Sequence, residues 1–107
     1  MKVDRLEAMV NGWFVGDFEP TLYRTQAVKM TVKRYAANDR ETRHHHKIAT
    51  EITAVVSGRA RMNERDLRPG EIVTLAPGQS SNFTALSEVT LVVVKLPGAP
   101  DDKYVDE

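Results

Sequence analysis

The chain has 107 residues, enough for one domain with one core, and a fold of this size buries roughly 60 to 70% of the surface its unfolded chain exposes. Its 15 basic residues balance 15 acidic ones, and no basic cluster is interleaved with aromatics, which argues against a nucleic-acid interface or attachment to a membrane surface. There is no cysteine, which excludes thiolate catalysis, disulfides and cysteine-based zinc sites. With no apolar leader and no run near the roughly 18 residues of a spanning helix, the default expectation is a cytoplasmic protein.

Near the start, Val3, Leu6, Met9 and Val10 fit either a short helix or an irregular strand, and Trp13-Phe14 suits a barrel end or an oligomer contact. From Ala27 to Tyr35 the chain alternates, with Val28, Met30 and Val32 on one face and Lys29, Thr31 and Lys33 on the other. This predicts a half-buried strand with the valines inward and Arg34 next on their face. Asn38-Asp39 breaks it. Thr50 to Val56 is rich in β-branched residues and ends at Ser57-Gly58, so Arg59 to Met62 is expected as its hairpin partner. Asn63 to Arg68 is polar, Pro69-Gly70 turns, Ile72 to Leu75 is a short apolar strand, and Pro77-Gly78 turns again. Asn82 to Leu86 and Glu88 to Leu96 complete the pattern. Within the latter, Leu91-Val92-Val93-Val94 is apolar on both sides, as a strand inside a two-layer sandwich would be. The tail from Pro97 carries Pro100, Asp101 and Asp102 and reads as peripheral. No repeat or linker divides the chain, which predicts one domain over residues 1–107.

All 3 histidines lie in His44-His45-His46-Lys47-Ile48-Ala49-Thr50-Glu51. Side chains two apart leave a strand on the same face, roughly 6.5 to 7 Å apart. His44 and His46 therefore point together and His45 points away. Two imidazoles at that spacing can converge on one ion at about 2.0 to 2.1 Å, and a carboxylate can complete a facial set. Glu51 supplies it only if Lys47 to Thr50 folds back as a hairpin or corner. The plainer alternative is a solvated loop, since Arg40, Glu41, Arg43 and Lys47 surround the histidines.

Short strands, Gly and Pro turns and this metal motif together resemble the cupin family, an all-β jelly roll or double-stranded β-helix barrel. The family's first motif runs from a leading glycine through His-x-His to a glutamate and a closing glycine. Here Asn38 stands at the leading position, followed by His44-His45-His46, Glu51 and Gly58, and asparagine tolerates the left-handed turn better than most residues. In the second motif Gly70 and Gly78 fall into place, with Ala76 where proline is expected and Pro77 after it. Ser81 occupies the position of the fourth metal ligand and Ala85 that of an asparagine. The resemblance spans about residues 28–96.

It implies a divalent ion, Fe, Mn, Ni or Zn, held by His44, His46 and Glu51, with Glu51 also a candidate catalytic carboxylate. Gln79, Ser81 or Asn82 would supply a weak fourth ligand or hold a water. A metal-free pocket in which the same residues bind substrate or move protons is the alternative. For the pocket wall the candidates are Arg34, Tyr35, Arg59, Arg61 and Phe83, and Lys95 follows Leu91 and Val93 by twos. Such basic residues are more often solvated surface charges. The resemblance further implies a homodimer. Three functions are open: a metal-dependent isomerase, epimerase, lyase or dioxygenase acting on a sugar or other small oxygenated metabolite; a small-ligand binding or sensing module; or a remnant site on a protein that acts through its surface.

Overall fold

The computed structural model describes residues Met1–Glu107. After a 3₁₀ turn at Leu6–Ala8, neither a full helix nor a strand, ten strands follow: β1 (Trp13–Val15), β2 (Lys29–Tyr35), β3 (Arg40–His45), β4 (Thr50–Ser57), β5 (Ala60–Met62), β6 (Arg65–Leu67), β7 (Ile72–Leu75), β8 (Ser81–Ala85), β9 (Val89–Leu96) and β10 (Tyr104–Val105). They form two antiparallel sheets of 5 strands, ordered β1-β2-β9-β4-β7 and β10-β3-β8-β5-β6. This is the expected jelly roll, a double-stranded β-helix. No helix is long and apolar enough to cross a membrane.

The core lies between the sheets. Val55, Leu91, Val93 and Val89 of the first meet Ala60, Met62, Leu67, Phe83 and Ala85 of the second. Strand β9 runs through the middle of its sheet, so it buries Leu91 and Val93 inward and keeps Val92 and Val94 half-buried outside. That is the two-sided apolar run read from the sequence, here with one side facing out.

Two expectations are corrected by strand pairing. Arg59 to Met62 is not the hairpin partner of β4: Ser57-Gly58 carries the chain from one sheet to the other, and β5 pairs with β6 and β8. Gly58 is required at this crossing, because its φ is +79° and a Cβ there would lie 1.9 Å from the Glu88 carbonyl oxygen. The polar Asn63 to Arg68 stretch contains β6, joined to β5 through Asn63 and Glu64, both at positive φ as a two-residue hairpin turn requires.

The second correction concerns β2. Thr31 opposes Val93 and Lys33 opposes Leu91, and directly paired residues of neighbouring strands share a face. Thr31 is fully buried, and Lys29, Lys33 and Tyr35 share its inward face, while Met30 and Val32 face outward. Alternation alone sends the apolar set inward. Here the barrel interior is the polar side at one end, and the outer sheet face is the apolar one.

The tail is not peripheral. Strand β10 pairs with β3, with Tyr104 opposite His45, and Asp102 is buried.

Candidate metal and ligand site

His44, His46 and Glu51 are all buried, between 6% and 8% exposed, at one end of the barrel. Strand β3 belongs to one sheet and β4 to the other, so Lys47 to Ala49 forms a corner between sheets. The Asp102 carboxylate shapes it, accepting the backbone N–H groups of Lys47, Ile48 and Ala49 at 2.9 to 3.1 Å. That corner brings Glu51 round to the histidines, as the fold-back requirement demanded.

Both imidazoles are oriented from behind. His44 Nδ1–H donates to the Thr42 carbonyl and His46 Nδ1–H to the Asp102 carbonyl, each at 2.8 Å. A carbonyl can only accept, so each Nδ1 carries a proton, and in the neutral ring Nε2 keeps the lone pair of a metal-binding histidine. His46 Nε2 is the one buried side-chain polar atom without a hydrogen-bond partner, and it stands 3.5 Å from Glu51 Oε1. In the neutral ring a lone pair faces a carboxylate oxygen with nothing between them, an arrangement that a proton or a cation relieves. Two ligands each about 2.1 Å from one ion at a tetrahedral angle lie about 3.4 Å apart. The donor chemistry and this spacing fit a divalent ion. The full set is not drawn together, since no three imidazole and carboxylate groups are clustered tightly enough to enclose an ion as the side chains stand.

His45 points away, stacked on Tyr104 at 5.6 Å between ring centroids, with Asp106 Oδ1 2.7 Å from its Nδ1. Ser81 is buried and pairs directly with His44 across β8 and β3. Gln79 and Asn82 are engaged elsewhere: Gln79 Oε1 accepts the Ala76 N–H and Asn82 Oδ1 the Asn63 N–H.

The charges around Glu51 decide its state. Burial pushes its carboxyl pKa up, but a His46 ring protonated at Nε2, the Lys95 ammonium and a protonated His44 outweigh it and hold the group below the ordinary glutamate range. Lys95 Nζ lies 3.8 Å from Glu51 Oε1, with 12% of its side chain exposed. Burial pushes its pKa down to about 8 against the attraction of Glu51, helped by the charges of Lys29, Lys33 and Lys103. On the same sheet, Tyr35 reaches across to the other: its O–H donates to Glu41 of β3 at 2.6 Å and its ring packs on Phe83 of β8, its own pKa pushed up by burial and then by this bond.

Two adjacent spaces result. An inner cavity of about 40 Å³ is bounded by Tyr35, His44, Glu51, Ser81 and Phe83. An outer one of about 240 Å³ opens between Trp13, Lys29, Lys33, His46 and Asp101, and Lys33, Lys95 and Lys103 line both. Of the wall candidates, Tyr35 and Phe83 reach the cavity. Arg34, Arg59 and Arg61 do not: Arg34 lies on the outer face 3.7 Å from Glu7, and the other two reach Asp66 outside the barrel. The inverted face of β2 explains Arg34. A larger groove of about 350 Å³ runs beside Leu6, Met9, Val32 and Arg34 and holds no histidine. Sequence reading missed Lys29, Lys33, Lys103 and Asp102, although parity with Thr31 would have shown the first two once β2 was paired with β9.

No protein-family model and no curated protein sequence matches the chain. In structure it is similar to an uncharacterized double-stranded β-helix protein from Klebsiella pneumoniae, at 22% identity and a TM-score of 0.70 over 78% of this chain and 73% of that one. It is also similar to KdgF from a Halomonas species (20% identity, TM-score 0.65, 72% and 76% of the two chains). A recombinant oxalate oxidase in complex with glycolate matches at 22% identity and a TM-score of 0.65, over 74% of this chain and 46% of that one. The chain thus has the cupin fold, with the polar end of its barrel where the histidines converge.

Proposed function

We propose that the protein is a small metal-dependent enzyme of cupin architecture, acting on a sugar or other small oxygenated metabolite of the isomerase, epimerase, lyase or dioxygenase substrate types. The observation that carries this reading is His46 Nε2, a buried lone pair without a partner, 3.5 Å from Glu51 Oε1. His44, His46 and Glu51 would hold the ion, and Ser81 would leave one more position open than a histidine as fourth ligand does. When bound, the ion supplies Lewis-acid polarisation of a substrate oxygen. Glu51 accepts a proton or returns one to the substrate, Tyr35 and Phe83 form the apolar wall, and the Asp102 clamp holds the corner that aligns His46 with Glu51. The oxalate oxidase of similar fold is in complex with glycolate, a small oxygenated molecule, which supports that ligand class here.

A second reading, a metal-free binding pocket, is favoured by Lys95, whose ammonium already lies against Glu51. Elemental analysis of protein purified without an affinity tag or added metal separates the two. The first reading expects a stoichiometric divalent metal that His46→Ala and Glu51→Ala both lose, and equal metal content in all three proteins refutes it. A thermal-shift screen with sugars and keto acids on the same preparations then identifies the ligand class.

The reading includes a homodimer. The outer face of the β1-β2-β9-β4-β7 sheet carries an apolar row in which Val32 opposes Val92, Val92 opposes Ala54 and Ala54 opposes Ile72, ending at edge strand β7 with Ile72 64% exposed. A second copy would cover that face.

A further inference from the structure

The lysines at the barrel mouth are arranged by strand register. Lys29 pairs directly with Lys95 across β2 and β9, and Lys95 pairs directly with Glu51 across β9 and β4. Lys33 lies four residues beyond Lys29 on the same inward face, with Thr31 between them. Like charges directly opposed across a sheet repel, so this row has a cost that some neighbouring group must offset.

Part of the compensation is visible. Lys95 has Glu51 at 3.8 Å, and Lys103 has Glu41 at 3.4 Å. Lys29 and Lys33 form no ion pair. Asp101 and Asp102 line the same cavity, but the Asp102 carboxylate is taken up by three backbone N–H groups and Asp101 makes no ion pair. What Lys29 and Lys33 have instead is Trp13. Their ammonium nitrogens stand 4.9 and 5.6 Å from its ring centre, and Lys95 stands 5.3 Å from it. An aromatic face relieves a cation only in part, and three ammonium groups share this one. All three line, or stand over, the roughly 240 Å³ cavity that leads to His46.

We propose that this mouth is an oxyanion port: Lys29 and Lys33, with Trp13 between them, hold a carboxylate or phosphate group of the substrate while its other end reaches toward His46 and Glu51. Ammonium groups suit either anion, because each acts as a point charge with rotatable donors and not as a planar fork. The inference rests on the proposed reading of the site for the substrate's far end, while the port itself stands on the lysines and Trp13 alone. It narrows the substrate class from small oxygenated metabolites to anionic ones, and it makes Trp13, Lys29 and Lys33 specificity residues.

Trp13 is the only tryptophan in the chain, so its fluorescence reports on the port. The first measurement compares quenching by iodide, caesium and neutral acrylamide. Iodide is expected to quench at least about fivefold more efficiently than caesium at low ionic strength, with the difference collapsing as salt screens the lysines. The Lys29→Gln/Lys33→Gln variant loses that preference, whereas Lys29→Arg/Lys33→Arg keeps it and controls for folding. The second measurement titrates glycolate, inorganic phosphate and neutral ethylene glycol against iodide. Protection by glycolate alone assigns a carboxylate, protection by phosphate alone assigns a phosphate, and protection by both leaves the port selective for charge. Equal quenching by iodide and caesium, or protection by ethylene glycol as strong as by the anions, overturns the proposal. Metal content of the same variants, measured in parallel, is expected not to fall, since the lysines repel the ion; absence of metal from the wild type would refute the metal reading without touching the port.

Discussion

Replacing Asp102 by alanine tests the least expected element of the site, a tail residue that holds the corner more than 50 positions earlier in the chain. The Asp102 carboxylate accepts three backbone N–H groups. Two of them, on Lys47 and Ile48, belong to exposed residues, so water takes over when the carboxylate is removed. The third belongs to Ala49, which is 2% exposed, and its N–H would be left without a partner. A buried unpaired donor costs about 1 to 3 kcal/mol, and bonds to a charged acceptor contribute about 1.5 to 3 kcal/mol each before water replaces them. The expected loss is about 2 to 4 kcal/mol, equivalent to a fall in Tm of roughly 10 to 20 °C for a domain of this size. Asp102→Asn, which keeps one acceptor, should fall between. The acid limb gives a second signature. Burial pushes the Asp102 pKa up, but the Ala49, Ile48 and Lys47 N–H groups outweigh it and hold it below the ordinary aspartate value. Its contribution is therefore complete above the unfolded pKa of about 3.9 and is lost as pH falls through the lower folded value. Urea unfolding of both proteins from pH 7 to pH 2.5 measures both effects. An alanine variant within about 0.5 kcal/mol of wild type, or one with the same acid slope, refutes the clamp.

Tyr35→Phe keeps the ring against Phe83 and removes only the phenol that donates to Glu41. Since burial pushes the Glu41 pKa up and this bond is the first force holding it down, its pKa should rise in the variant, visible by carboxyl NMR titration, with a stability loss of about 1.5 to 3 kcal/mol. An unchanged titration would show that the lysines alone hold Glu41 ionised. In metal-free protein Lys95 predicts an alkaline rise in stability. Its folded pKa of about 8 lies below the unfolded value near 10.4, so between the two the unfolded chain binds more protons and stability climbs with pH, by at most about 3 kcal/mol. Glu51, Lys29, Lys33 and Lys103 face it throughout. Lys95→Met should flatten the curve, and a flat wild-type curve in the presence of chelator contradicts the burial of this charge. Ile72→Lys places a charge in the outer apolar row and should turn a dimer into a monomer by light scattering, with the melting of the monomer fold unchanged; a dimer that persists moves the interface elsewhere.

The fold was legible because its determinants are local. Alternation marked β2, and β-branched or apolar runs marked β4, β7 and β9, to within about two residues, while Gly58, Pro69-Gly70 and Pro77-Gly78 marked the crossings between the sheets. What was not legible depended on pairing. Nothing in Arg59 to Met62 says whether it folds back on β4 or crosses to the other sheet, a choice made where the Gly58 backbone passes Glu88. Strand β6 was hidden because a left-handed Asn63-Glu64 turn places a glutamate where glycine is usual. That His44, His46 and Glu51 meet could be read from spacing because they are close in sequence. The wall could not, because a strand's inward face was inferred from its apolar residues, and β2 turns its lysines to the interior. The inversion is itself informative: a barrel that points Lys29, Lys33 and Lys95 inward while leaving Met30 and Val32 outside has given up core burial at that end for a charged lining.

That lining constrains how the proposed metal and ligand would bind together. Two neutral imidazoles and one carboxylate leave a divalent ion with a net positive charge, and Lys29, Lys33 and Lys95 add to it, since only Lys103 is balanced by Glu41 outside the ligand set. The lysines therefore oppose the ion, and an oxyanion between them relieves both. Binding of the two must reinforce each other, and by linkage the factor by which an anion raises metal affinity equals the factor by which metal raises anion affinity. At separations near 5 to 10 Å and an effective dielectric near 20, each such charge pair contributes about 2 to 3 kcal/mol before screening, and coupling free energies of about 1 to 3 kcal/mol are usual, so a tenfold effect is the expected scale. Competitive chelator titration of zinc with and without phosphate or glycolate reads it directly. Equal metal affinity in both would mean that the lysines and the triad act as separate sites, which their shared boundary at Lys95 makes hard to achieve.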